Sequence, residues 1–292
     1  MIFIGFFIFG LFLGSLLNNI ALRLEAEEDF IFSRSKCPNC LKQLRWFELI
    51  PIVSFLVQKG RCRDCDQKIS WRYPLVEILT GVWVSLLAFS IIDISGRNFF
   101  NGGFLIWFSS IYYLIFLSII FVLALFDFKT TYIDERFIWF GVIVWLIFQF
   151  APFLLAGHLP GFIKQTFENL NFTGRFNYLF PPTLRLTDQL FRAYVFSIIF
   201  VFVFLATLGR GMGLGDAKVI FLMGLFLNWG DLAMALFLSF LFGSIYGLVR
   251  LMAKKKFFQE VPFVPFLFLG IIITMFGGGW LSKFYFNWLS LG

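Results

Sequence analysis

The residues best suited to chemistry are acids and cysteines held in a few short stretches. Asp216 lies in Gly211-Met212-Gly213-Leu214-Gly215-Asp216-Ala217-Lys218, between the apolar runs Ala193 to Leu208 and Val219 to Leu227. Asp127 closes the apolar run Phe104 to Phe126 and is followed by Phe128-Lys129-Thr130-Thr131-Tyr132-Ile133-Asp134. An acid at the edge of an apolar span is costly unless it has a task or a partner. Glycines at 213 and 215 let a backbone come close to a second chain or a substrate. Two carboxylates brought together at span ends can share one proton, which is the chemistry of aspartyl proteolysis. The bland alternative pairs each acid with a nearby base, Lys129 or Lys218.

The four cysteines form two pairs, Cys37-Pro38-Asn39-Cys40 and Cys62-Arg63-Asp64-Cys65, in a C-x2-C-x21-C-x2-C pattern. Each pair turns two thiolates toward one point, and four thiolates satisfy tetrahedral zinc. Two disulfides or a thioredoxin-like pair are the competing readings. A reducing cytosol disfavours the first and the absence of a surrounding βαβ pattern the second. A four-thiolate site has no open position for water, so zinc here is expected to be structural.

These groups must be positioned by a membrane scaffold. Of 292 residues 60% are hydrophobic and 14% charged, with mean hydropathy +0.86, whereas a soluble domain carries about a quarter charged residues. The expected fold is all-α and polytopic, because strand alternation is missing and lipid tolerates only helices or closed barrels. Eight spans are predicted, at 2–22, 75–93, 104–126, 137–157, 191–209, 217–228, 231–250 and 263–280. The first reads as a retained anchor, without a cleavage site after it. The 46 Phe residues read as lipid-facing bulk.

The segments 23–74, 127–136, 210–218 and 250–262 hold 18 of the 24 Lys and Arg, which places them in the cytosol and the N-terminus outside. Asp127 and Asp216 then share the cytosolic face. The net charge of +7 is explained by topology and attraction to anionic membrane lipid, with no implication of nucleic acid. Three regions follow: a first transmembrane helix (1–22), a cytosolic zinc-knuckle loop (23–74) and a membrane domain (75–292) with an extracytoplasmic loop, 158–190. His158, the one histidine, lies across the membrane from both acids and reads as a bystander. The sequon Asn171-Phe172-Thr173 reads as accidental, and Lys254-Lys255-Lys256 as an inside-facing anchor. Asn18, Asn19 and Arg23 read first as helix-end groups. Glu77 needs a partner, such as Arg72, or water.

Taken in order, these stretches resemble type IV prepilin peptidases, the leader peptidase/N-methyltransferase enzymes of the Gly-x-Gly-Asp aspartyl protease class. Gly14-Ser15-Leu16-Leu17-Asn18 with Arg23 is similar to the family's start. Cys37-Pro38-x-Cys40 and Leu44-x-Trp46-x-Glu48-x-Ile50-Pro51 resemble its cytosolic loop, which Gly60-Arg61-Cys62-Arg63-x-Cys65 and Ile69-Ser70-x-Arg72-Tyr73-Pro74-Leu75-Val76-Glu77 continue. Gly213-x-Gly215-Asp216-x-Lys218 matches the signature, and Pro262-Phe263-x-Pro265-Phe266 resembles the entry to the last span.

The resemblance implies Asp127 and Asp216 as catalytic acids, supported by Gly213, Gly215, Lys218, Lys129 and Asp134. It implies cleavage of a basic leader after Gly, on type IV prepilins or type II secretion pseudopilins, at the cytosolic face of the bacterial inner membrane. It further implies N-methylation of the new N-terminus from S-adenosylmethionine, with Gly60, Arg61, Glu77 and Asn18 as the associated residues. Many relatives read Asp-x-Asp and Leu-Pro-Asp where this chain has Asp127-Phe128-Lys129 and Ile133-Asp134. The lost second acid sharpens the assignment of Asp127, and the lost proline leaves Asp134 without a defined role. The rival from another class is a non-enzymatic zinc-ribbon scaffold for pilus or secretion assembly, which keeps the cysteines and abandons the acids.

Overall fold

The computed structural model describes residues 2–25, 35–37, 39–94, 103–130, 132–156, 186–209, 212–252 and 262–289. Its helices are α1 (Ile2–Glu25), α2 (Val53–Val57), α3 (Arg72–Ile94), α4 (Gly103–Thr130), α5 (Glu135–Ala156), α6 (Leu186–Thr207), α7 (Leu214–Phe226), α8 (Trp229–Met252) and α9 (Val264–Leu289). Among the described residues there is no strand, only two isolated bridges. The chain divides into two compact units, Met1–Arg97 and Asn98–Gly292.

In the first unit α1 packs along α3. Gly10 and Gly14 lie one turn apart on α1, so both present bare backbone to the same neighbour. A Cβ on Gly10 would sit 2.7 Å from Gly81 Cα, and one on Gly14 2.9 Å from Glu77 Cα. The helices meet backbone to backbone, a packing that only small residues permit. Between them run the two cysteine pairs, a 3-10 turn at Trp46–Leu49 and the short α2.

In the second unit α4 is the buried element. Tyr112, Tyr113, Phe116, Leu117, Ile120 and Leu123 are fully enclosed. Phe226 at the end of α7 stacks on Phe116 and Tyr112, with ring centroids 4.4 and 4.7 Å apart. α6 packs on α7, α9 on α8 and α4, and α5 on α7 and α4. The Phe residues are therefore not all lipid-facing. Phe202 and Phe237 are exposed, but Phe116 and Phe226 form the centre of the core.

Every expected span coincides with a helix, but the helix at one of them, 217–228, is too short for a full crossing. Five helices are long and apolar enough to cross a membrane among the described residues: α1, α3 to Ser90, α4 from Ser110, α6 and α8. The expected span 217–228 is α7, a helix of 13 residues. At about 1.5 Å per residue it reaches roughly 20 Å, against a hydrocarbon thickness of about 30 Å. Nine of those 13 residues are buried, so α7 is a core helix shielded by its neighbours. His158, the sequon at 171–173, Lys254 to Lys256 and loop 158–190 up to residue 185 lie outside the described residues.

Candidate active site and metal centre

Asp127 and Asp216, on different helices of the second unit, come within electrostatic reach of each other. Asp127 sits in the last turn of α4, which continues past it to Thr130. Its Oδ2 accepts the backbone N–H of Val264, the first residue of α9, at 3.1 Å. The backbone N–H of Phe263, the residue before Val264, also bonds this carboxylate. Asp216 occupies the first turn of α7 and its Oδ2 accepts the Gly213 N–H at 3.2 Å. Each carboxylate therefore lies at a helix N-terminus, where unsatisfied N–H groups and the helix dipole favour negative charge. Both are buried, at 4% and 9% exposure, and the charge of Asp127 reaches Asp216. Val264 was missed in the sequence, although Pro262 and Pro265 on either side were the available signal.

The two glycines of the signature differ. A Cβ on Gly215 would lie 2.7 Å from Ile133 Cδ1 and 3.1 Å from its Cβ, so α7 can approach the segment after α4 only without a side chain there. Gly213 has an extended backbone, and a Cβ on it would meet nothing closer than Asp216 Oδ2 at 3.6 Å. Gly215→Ala is therefore expected to lower thermal stability by about 1–3 kcal/mol and to impair activity. Gly213→Ala should leave the unfolding temperature unchanged. Equal destabilisation by both substitutions in a thermal melt would contradict this packing.

The other supporting residues have separate tasks. Lys218 forms an ion pair with Glu135 at the start of α5, not with Asp216. Lys129 lies in the last turn of α4. Asp134 caps α5: its Oδ1 accepts the Arg136 backbone N–H at 2.9 Å, and the guanidinium bonds both carboxylate oxygens. The Arg136 side chain holds the Asp134 carboxyl below its ordinary range. Asp134 thus has the role that the missing proline left undefined, as a helix cap.

In the first unit the four cysteine Sγ atoms lie within 4.8 Å of one another, with Cys37 and Cys65 at 3.9 Å. A tetrahedral site with bonds of about 2.3 Å has sulfur–sulfur edges of about 3.8 Å, so the cluster fits a metal. The two knuckles repeat one backbone pattern. Cys37 N–H donates to Lys42 O and Leu41 N–H to Cys37 O, while Cys62 N–H donates to Gln67 O and Asp66 N–H to Cys62 O. Leu41 and Asp66 take left-handed φ values of 57° and 52° at the equivalent turn position. The Gln67 backbone N–H lowers the Cys65 thiol to about 7. Cys40 moves to about 11: the Lys42 N–H lowers it, but desolvation and its three thiol neighbours outweigh that bond. Four crowded thiols do not all ionise without a cation among them.

Gly60, Arg61, Glu77 and Asn18 fall into two places. Gly60 and Arg61 line an open groove of about 470 Å³ with Phe55, Leu56, Lys59, Lys68, Ile69 and Trp71. Gly60 adopts φ +68°, a conformation suited to glycine, and Arg61 pairs with Asp66 at 2.9 Å. Glu77 and Asn18 are instead buried. Glu77 accepts the Ile52 backbone N–H at 2.8 Å and a bond from Ser15, so these are the partners that its position demands. Asn18 Oδ1 has no hydrogen-bond partner among the described residues.

Two family models match the chain: the Bacterial Peptidase A24 N-terminal domain over residues 8–91 and the Type IV leader peptidase family over 114–248. A prepilin leader peptidase/N-methyltransferase of Bacillus subtilis (strain 168) is 31% identical over 290 residues, 98% of each chain. This chain belongs to the type IV leader peptidase family. A relative of the same name from Aeromonas salmonicida (strain A449) is 25% identical over 313 residues, 96% of this chain and 92% of its own. Another, from Myxococcus xanthus (strain DK1622), is 46% identical over 76 residues, 26% of this chain and 23% of its own. No solved structure matches. Membership sets aside the non-enzymatic scaffold: in this family the two halves of the chain are parts of an enzyme.

Proposed function

We propose that this protein is a bifunctional enzyme of the bacterial cytoplasmic membrane. It removes the basic leader of type IV prepilins or type II secretion pseudopilins after Gly, and it methylates the new N-terminus. The observation that carries the reading is the pair of buried carboxyls, Asp127 and Asp216, each at a helix start and within electrostatic reach of the other. One carboxylate takes a proton from the attacking water. The other, kept protonated by its charged neighbour, polarises the scissile carbonyl, and the first then passes the proton it took from water to the leaving amine. The excess of Lys and Arg in the segments flanking both acids supports a cytosolic location for this site.

The cysteine cluster is assigned to zinc, held by Cys37, Cys40, Cys62 and Cys65. Four thiolates complete its shell, so the ion supports the fold of the first unit. The methyl donor, S-adenosylmethionine, is assigned to the groove beside the second knuckle. Phe55 and Trp71, with ring centroids 4.9 Å apart, offer flat apolar surface, and Lys59, Arg61 and Lys68 offer donors for a carboxylate. When bound, the donor supplies an electrophilic methyl group; the chain itself binds and orients.

The test uses purified protein in lipid vesicles and a peptide carrying a basic leader, Gly and an apolar helix beginning with Phe. Mass spectrometry should find leader-free product, one methyl group heavier when S-adenosylmethionine is supplied. A Cβ on Gly60 would lie 3.1 Å from Phe55 Cζ, and Val there would also be strained at positive φ. Gly60→Val should leave cleavage near wild type and lower methylation by about tenfold or more. Uncleaved peptide from the wild-type enzyme would overturn the functional reading. Full methylation by Gly60→Val would move the donor site elsewhere in the first unit, with Glu77 and Asn18 next.

A further inference from the structure

Within the second unit, Arg192 on α6 is a charged side chain buried to 1% exposure in a helix apolar enough to cross the membrane. Such a residue is expensive and marks a task by default. Its Nε donates to Gly224 O, among the last carbonyls of α7, at 2.9 Å. Its Nη1 donates to Asp188 Oδ2 one turn earlier at 3.0 Å, and Asp188 Oδ1 accepts the Trp229 indole N–H at 3.1 Å. A cation on orphan carbonyls at a helix C-terminus is the favourable polarity for the helix dipole.

We infer that α6 is a splint that fixes the axial position of α7, and that Arg192 and Ser197 are positioning residues for Asp216. This rests on the two-aspartate reading above. α7 is too short to be held in depth by matching the hydrocarbon, so its height depends on what grips it. The grip is antiparallel and has two points. Arg192 holds Gly224 near one end, and Ser197 Oγ donates to Ala217 O, next to Asp216, at 3.1 Å. Between the two helices Gly224 permits backbone contact, since a Cβ there would lie 2.5 Å from Ala193 Cα. Asp127 is fixed independently on α4 by the Val264 N–H. The spacing of the two carboxyls therefore changes whenever α7 slides or tilts against α6. The charged group facing Asp216 is Asp127 of α4, while Lys218 is engaged by Glu135 of α5.

The experiment compares Ser197→Ala, Gly224→Ala and Arg192→Gln in the full protein in vesicles, with kcat, KM and the pH profile of cleavage normalised to folded enzyme. Misplacement of a reacting group by about 1 Å costs on the order of 100-fold in rate. A fall in kcat of about tenfold to 100-fold is expected for Gly224→Ala and Arg192→Gln, and a smaller one for Ser197→Ala. KM should stay near wild type, and the pH profile should shift because coupling between two carboxyls depends on their separation. A merely structural role would lower the folded fraction and leave kcat and the pH profile of the remainder alone. That result in Gly224→Ala overturns the inference. If Arg192→Gln fails to fold, Gly224→Ala and Ser197→Ala decide it. Failure of the two-aspartate reading shows separately, as retained cleavage by Asp216→Asn.

Discussion

Asp127→Asn and Asp216→Asn should each lower the rate of leader cleavage by on the order of 1,000-fold or more, with little change in KM. General acid–base catalysis contributes about 100-fold to 10,000-fold, and electrophilic activation of the carbonyl fails in the same variant. The substitution is close to isosteric, and an Asn oxygen can still accept the Val264 or Gly213 N–H that the carboxylate accepts now. Folding should therefore survive, as thermal melts and metal content can report. Methylation of a peptide supplied without its leader should also survive, because no reacting group of that step lies on Asp127 or Asp216. Near wild-type cleavage by either variant would remove that residue from the catalytic pair.

The second large effect concerns the cysteines. Protein kept reduced throughout should carry about one zinc per chain, and Cys62→Ser should lose it. Structural zinc in small four-ligand sites contributes roughly 10 kcal/mol or more of binding free energy to folding. Apart from their own turn hydrogen bonds, the two knuckles are joined by the solvent-exposed ion pair of Lys42 with Asp64, and an exposed pair contributes little. Limited proteolysis should then cut the variant between residues 35 and 71 at sites protected in the wild type. Methylation should fall with it, since the groove beside the second knuckle loses its frame. Metal analysis that finds no zinc in reduced wild-type protein would refute the assignment.

Much of this arrangement was legible because lipid leaves the backbone so few options. Long apolar runs had to be helices, and the C-x2-C spacing had to turn thiolates inward, as the cluster of four Sγ atoms bears out. What could not be read was which side chains meet across long separations. Lys218 looked like a counter-charge for the acid two residues before it, yet it pairs with Glu135, 83 positions away. By sequence Arg192 is merely one of the six Lys and Arg that fall outside the four segments placed in the cytosol, although Asp188 stands four residues before it as a helical partner. Apolar periodicity also carries no information on what surrounds a helix, so the buried 13-residue α7 read as a span. Asp134 changed meaning altogether, because a cap is decided by where a helix starts and not by the acid itself.

The backbone contact between α1 and α3 also bears on the order of events during synthesis. It is made wholly by residues before 98, and both helices leave the ribosome before any of α4 to α9. In lipid their association draws on close packing, which Gly10, Gly14 and Gly81 supply without help from any later segment. The four clustered cysteines lie between these helices in sequence, so they too have emerged once α3 is inserted. The first unit can therefore reach its mature form while α4 to α9 are still being translated. On the proposed assignments, the half that would hold zinc is complete before the half that carries Asp127 and Asp216.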